Sequence, residues 1–70
     1  MELRRIVAQN LRRLRQDRGL SQEELAGQVE LNRNYVGMIE REENAPTVDT
    51  LEVLAKVLKV EPEELLKRQT

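Results

Sequence analysis

Apolar residues return at three- and four-residue intervals along the whole of this chain, and nowhere do they alternate one in two. That period belongs to helices that pack one face inward, whereas a half-buried strand needs a period of two. Leu3, Val7, Leu11 and Leu14, with arginines between them, define a first helix that Gly19 stops. Ser21-Gln22-Glu23-Glu24 has the form of a capping box. In it the Ser21 hydroxyl accepts from the Glu24 amide and the Glu24 carboxylate reaches back. Leu20 and Leu25 sit where a hydrophobic staple would. A second helix is predicted from about Gln22 to Val29, with Leu25, Ala26 and Val29 inward. Asn32 suits the cap of a third, Arg33 to Arg41, that buries Val36 and Ile39. Thr47 suits the cap of a fourth, with Leu51, Leu54, Ala55 and Leu58 inward, and Pro62 the first position of a fifth carrying Leu65 and Leu66. The expected fold class is all-α: a single compact domain over residues 1–70 made of five short helices.

What the residues lack narrows the function. The chain has no cysteine and no histidine, which removes disulfides, thiolate chemistry and the commonest metal ligand and general base. Its one serine, Ser21, is explained by helix capping and not by nucleophilic catalysis. No acid–base pair with a pocket can be assembled, so an enzyme is not expected, and nothing points to a cofactor, a metal or a small-molecule effector. No apolar run approaches the roughly 18 residues needed to cross a bilayer, and the amino terminus lacks a signal-peptide layout. The expectation is a soluble cytoplasmic protein with no membrane partner. Seventy residues enclose only a small core, so stability is expected to be modest unless the chain dimerises.

The formal net charge of −1 hides an uneven distribution. Residues 1–20 carry six arginines against Glu2 and Asp17, while residues 42–70 carry seven acids against four bases. Phosphate contacts act within about a Debye length, so a local basic face matters more than the total.

The third helix is unusual on its outer side. At about 100° per residue, Asn34, Gly37, Met38 and Arg41 fall opposite Val36 and Ile39, with Arg33 at the edge. An ordinary solvated face would carry Glu, Lys and Gln. An interior helical glycine costs about 1 kcal/mol relative to alanine, which close approach to another surface would explain. A capped helix, a tight turn at Glu30 to Asn32 and a helix with a polar outer face together make a helix-turn-helix arrangement over about residues 21–41. In that arrangement the first helix crosses the phosphate backbone and the second lies in the major groove.

The words themselves are more specific. Asn10-Leu11-Arg12-Arg13-Leu14-Arg15, Gly19-Leu20-Ser21-Gln22-Glu23-Glu24-Leu25-Ala26, Tyr35-Val36-Gly37-Met38-Ile39-Glu40-Arg41 and Pro46-Thr47-Val48 resemble the lambda-repressor-like (Cro/CI, XRE) family over about residues 6–66. The third-helix stretch from Asn32 to Arg41 looks most like those of restriction-modification controller proteins and similar stand-alone repressors. The resemblance implies a transcriptional regulator that reads double-stranded operator DNA as a homodimer. It implies base contacts from Arg33, Asn34 and Met38: an arginine fork for guanine, a carboxamide for adenine, a thioether against a thymine methyl. It places Gln22 on a DNA phosphate, where backbone and side-chain amides would both point, with Asn32 also at a base-edge or phosphate position. Arg12, Arg13 and Arg41 are further phosphate candidates, as is Tyr35, for which filling the core is the alternative. Arg15 and Glu40 match a structural ion pair between the first and third helices.

Two departures stand out. Where the family usually has glycine after the second and third helices, this chain has Glu30 and Glu42, the latter followed by Glu43. A left-handed backbone at either site would cost about 1 kcal/mol or more, and the carboxylates would repel phosphates. The expected dimer surface is the region of the fourth and fifth helices, where Val60, Leu65 and Leu66 offer more apolar groups than a lone fifth helix can bury, unless all three complete the monomer core. The acidic carboxyl-terminal half supports a competing reading, an antitoxin-like or adaptor module that keeps the same fold and binds protein.

Overall fold

The structure, a computed structural model, describes residues 2–30 and 32–68, the side chain of Arg33 excepted. Helix α1 runs Leu3–Asp17, α2 Gln22–Gln28, α3 Arg33–Glu40 and α4 Val48–Leu58, followed by a 3-10 turn at Pro62–Leu65. Local chemistry explains where each element starts. Ser21 accepts from the Glu24 amide at 2.9 Å and Glu24 returns the contact to the Ser21 amide at 2.8 Å, the reciprocal capping box. Asn32 Oδ1 caps α3 through the Asn34 amide at 2.8 Å, and Thr47 Oγ1 caps α4 through the Thr50 amide at 3.1 Å.

The helices end alike. Gly19, Glu30, Glu42 and Lys59 all take positive φ, of 69°, 56°, 64° and 60°. At the end of α3 the Glu43 amide donates to Met38 O and the Glu42 amide to Ile39 O, the pair of bonds of a Schellman turn with Glu42 as its left-handed residue. Three of the four left-handed residues carry a β-carbon, at about 1–2 kcal/mol each.

The core gathers Val7, Leu11 and Leu14 from α1, Leu25, Ala26 and Val29 around α2, Val36 and Ile39 from α3, Leu54, Ala55 and Leu58 from α4, and Leu65. Leu51 and Val60 pack against it, half-buried. Leu3, expected inward, is 44% exposed. The buried face of α1 instead includes Ile6, Ala8 and Asn10.

The expected fifth helix is a single 3-10 turn, with Glu64 N–H to Glu61 O and Leu66 N–H to Glu63 O. The buried Asn10 side chain donates from Nδ2 to Leu65 O at 3.0 Å and to Lys67 O at 2.8 Å. Those carbonyls are therefore occupied where a longer helix would need them for its own ladder, and Pro62 contributes no donor at the other end. Arg18 holds α4 in a comparable way, its Nε donating to Leu58 O at 2.9 Å. Among the described residues no helix is long and apolar enough to cross a membrane.

Candidate nucleic-acid interface

Helix α3 is short, so its orientation depends on what grips it from outside. Val36 and Ile39 press it onto the core. At its last position, Glu40 has a fully buried side chain that receives donors from two other helices. Arg15 binds it twice, Nε to Oε2 at 2.7 Å and Nη2 to Oε1 at 3.1 Å. Gln22 Nε2 donates to Oε1 at 2.9 Å, and Arg12 Nε approaches the same oxygen at 3.4 Å. The third arm of Arg15, Nη1, donates to Leu20 O at 2.7 Å, at the entrance to α2. One carboxylate thus ties α1, α2 and α3 together, and the bidentate geometry is the one in which a buried pair offsets its desolvation best. Burial pushes the Glu40 carboxyl upward, but the hydrogen bonds from Arg15 and Gln22, the charge of Arg15 and the contact with Arg12 outweigh it and hold it below the ordinary 4.5.

Around this anchor lie the residues with candidate DNA contacts. Gln22 opens α2 and stretches across to α3 with its amide nitrogen on Glu40. Arg12 is half-exposed beside it. Asn34 is exposed on the first turn of α3, and Met38 is half-buried one turn later. Asn32 spends its carbonyl oxygen on the helix cap. Tyr35 is half-buried and packs against the core. The backbone of Arg33 opens α3, but its side chain lies outside the described residues.

Arg41 is exposed and paired with Glu43, Nε to Oε2 at 2.9 Å and Nη2 to Oε1 at 3.2 Å. The bonds from Arg41 lower the Glu43 carboxyl, and Glu43 raises the guanidinium in turn. A phosphate would have to compete with that carboxylate for Arg41. Gly37, placed by helical period on the outward side, is buried, and what lies over it are the side chains of Arg41 and Gln22. The surface it approaches is therefore within the protein.

Reasoning from sequence paired Glu40 with Arg15 but missed its other partners. Glu40 as a shared acceptor for Gln22 and Arg12 joins residues 18 and 28 apart in the chain, and nothing local marks such a contact. Asn10, which binds the 3-10 turn and not this site, was missed as well, although it carried a signal as a carboxamide on the same helix face as Val7, Leu11 and Leu14.

A sequence profile of the helix-turn-helix family HTH_3 matches residues 11–65. The chain belongs to that family, the XRE-type helix-turn-helix regulators. The control protein C.SmaI of Serratia marcescens is 44% identical over 69 residues, which is 99% of this chain and 82% of that protein. The restriction-modification controller protein C.AhdI of Aeromonas hydrophila superposes with a TM-score of 0.84 at 42% identity, over 91% of each chain. A hypothetical transcription factor, NHTF, from Neisseria gives a TM-score of 0.90 at 40% identity, over 93% of this chain and 75% of its own. Within the HTH_3 fold of this chain, Glu40, Arg12, Arg15 and Gln22 are the side chains that tie α3 to α1 and α2.

Proposed function

We propose that the chain is a sequence-specific regulator of transcription that binds double-stranded operator DNA as a two-fold dimer, with α3 in the major groove. The observation that carries this reading is the arrangement around α3. Asn34 and Met38 lie on one side, Gln22, Arg12 and Arg41 stand next to it, and the helix is pinned from behind through Glu40. Arg33, Asn34 and Met38 read base edges, while Gln22, Asn32, Tyr35, Arg12 and Arg41 hold phosphates. The Arg15–Glu40 pair is structural and touches no DNA.

A single short helix in one groove gives little affinity, so two copies bind half-sites about 34 Å apart. The surface for that dimer is the groove between α4 and the 3-10 turn, lined by Glu52, Val53, Ala55, Lys56, Val60 and Pro62. Val53, 43% exposed, supplies its apolar contact, and Leu66, exposed to the same extent, lies just past the turn. Leu65 does not take part, because it is completely buried in the monomer.

Selection of bound duplexes from a random pool tests the proposal. It predicts recovery of one motif, repeated with two-fold symmetry, and a single shifted species of dimer mass. Failure to enrich any motif at low and moderate salt would reject it in favour of a protein-binding module.

A further inference from the structure

Gly37 sits in the interior of α3, where glycine is a poor choice for a helix. No backbone conformation calls for it, since Gly19 is the one glycine with positive φ among the described residues. The reason is space. A β-carbon built on Gly37 would lie 2.9 Å from Arg41 Nη1, 3.1 Å from Gln22 Oε1 and 3.6 Å from Gln22 Cδ. All three are ends of side chains, so an added methyl group is accommodated by moving those ends and leaves the backbone in place. Arg41 is half-exposed and paired with the equally exposed Glu43, so its end shifts at little cost. Gln22 is held more firmly, because its Nε2 is bonded to the buried Glu40.

The Gln22 amide is therefore held through Nε2 on Glu40, with Oε1 in the space over Gly37 that a β-carbon would enter. A carboxylate accepts and does not donate, so Glu40 selects the orientation of the amide. Nε2 carries two N–H groups, of which Glu40 uses one, and the second remains for an acceptor from outside. With the amide reversed, the carbonyl oxygen would face Glu40 and repel it.

We propose that Gly37 is a positioning residue for the DNA-backbone contact: by carrying no side chain it seats the Gln22 amide, held by Glu40, so that one N–H is presented to a phosphate oxygen. This rests on the reading of Gln22 as a phosphate contact given above. The role does not involve base reading, so it acts on all sequences alike.

The test is a double-mutant cycle of Gly37→Ala and Gln22→Ala, read by fluorescence anisotropy on a selected operator duplex and on a scrambled duplex of the same length. Thermal unfolding of each variant is recorded alongside. The Gly37→Ala protein is expected to melt no lower than the parent, yet to lose roughly three- to tenfold in affinity for both duplexes. On the Gln22→Ala background the same change should have no further effect. In the nitrogen–proton spectrum of the free protein, the Gln22 side-chain amide signals should shift in Gly37→Ala while the backbone signals of the core stay in place.

Undiminished affinity in Gly37→Ala overturns the proposal. So does an equal loss on the Gln22→Ala background, which would mean that the added methyl group acts by displacing Arg41 or by meeting DNA directly, and not through Gln22. If Gln22→Ala alone leaves both affinities unchanged, the phosphate reading of Gln22 fails and the proposal falls with it, an outcome distinguishable from the first two.

Discussion

Glu42 closes α3 in a left-handed turn, with φ of 64° and the Glu42 and Glu43 amides bonded back to Ile39 O and Met38 O. Replacing it with glycine keeps both hydrogen bonds and removes the clash of the β-carbon. Glycine at such a φ relieves about 1–2 kcal/mol, while its freer unfolded chain takes back about 0.4–1 kcal/mol, so the net gain centres on about 0.8 kcal/mol within a range of about 0–1.6 kcal/mol. In a domain of this size that raises the melting temperature by about 2–8 °C. The assay is circular-dichroism melting at neutral pH, with urea titration as a check that the cooperative slope is unchanged. Glu42→Gln separates backbone from charge, because it removes the carboxylate and keeps the β-carbon. It should melt like the parent, and both variants, by removing a carboxylate beside α3, should bind operator DNA more tightly at low salt, where repulsion is least screened. A lower melting temperature in Glu42→Gly, or an equal rise in Glu42→Gln, would refute the strain argument.

Three further outcomes are expected. Arg33→Ala should cost about 1–3 kcal/mol on the selected operator and much less on scrambled DNA; equal losses on both would remove Arg33 from base reading. The Glu40 carboxyl is held below 4.5 in the folded chain, so its contribution is fully present above the unfolded value and is lost as pH falls through the folded one. Comparing unfolding free energies of the parent and Glu40→Gln from neutral to acid should show the parent losing more, and parallel curves would contradict this. Arg15→Met leaves a buried carboxylate without its bidentate partner, at about 3–5 kcal/mol. That is a large share of the roughly 4–10 kcal/mol available to a domain of this length, so the variant should melt far below the parent, and a shift of a few degrees would refute the role.

The elements could be read in advance wherever a neighbour in sequence dictated them. Ser21, Asn32 and Thr47 announced their helices because a cap bonds an amide two or three residues away. Pro62 announced a beginning but not a length, since the 3-10 turn is closed by Asn10, more than fifty residues distant. Leu3 follows the period of its helix and is nevertheless largely exposed, because period describes a face and not whether a partner lies against it. The family resemblance raised left-handed turns at Glu30 and Glu42 without deciding them, while Lys59 had no such precedent. In the candidate site, single residue types suggested which side chains face outward, but not that Gln22 and Arg12 share an acceptor with Arg15.

Those turns bear on how α3 is held. Glu30 follows α2 and Glu42 follows α3, both left-handed without glycine, so backbone stability is given up on both sides of α3, as it is at Lys59 after α4. An eight-residue helix is too short to stand by its own hydrogen bonds. Its position therefore comes from Val36 and Ile39 beneath and from Glu40 bound to α1 and α2. Strain at the ends lowers the cost of opening α3 locally, whereas the Glu40 contacts raise the cost of tilting it while folded. A helix held in this way stays rigid without being the most stable part of the chain. Native-state hydrogen exchange should show it: the amides of α3 should open before those of Leu11 and Leu54. Glu42→Gly should slow the exchange of α3 selectively, and Glu40→Gln should accelerate it.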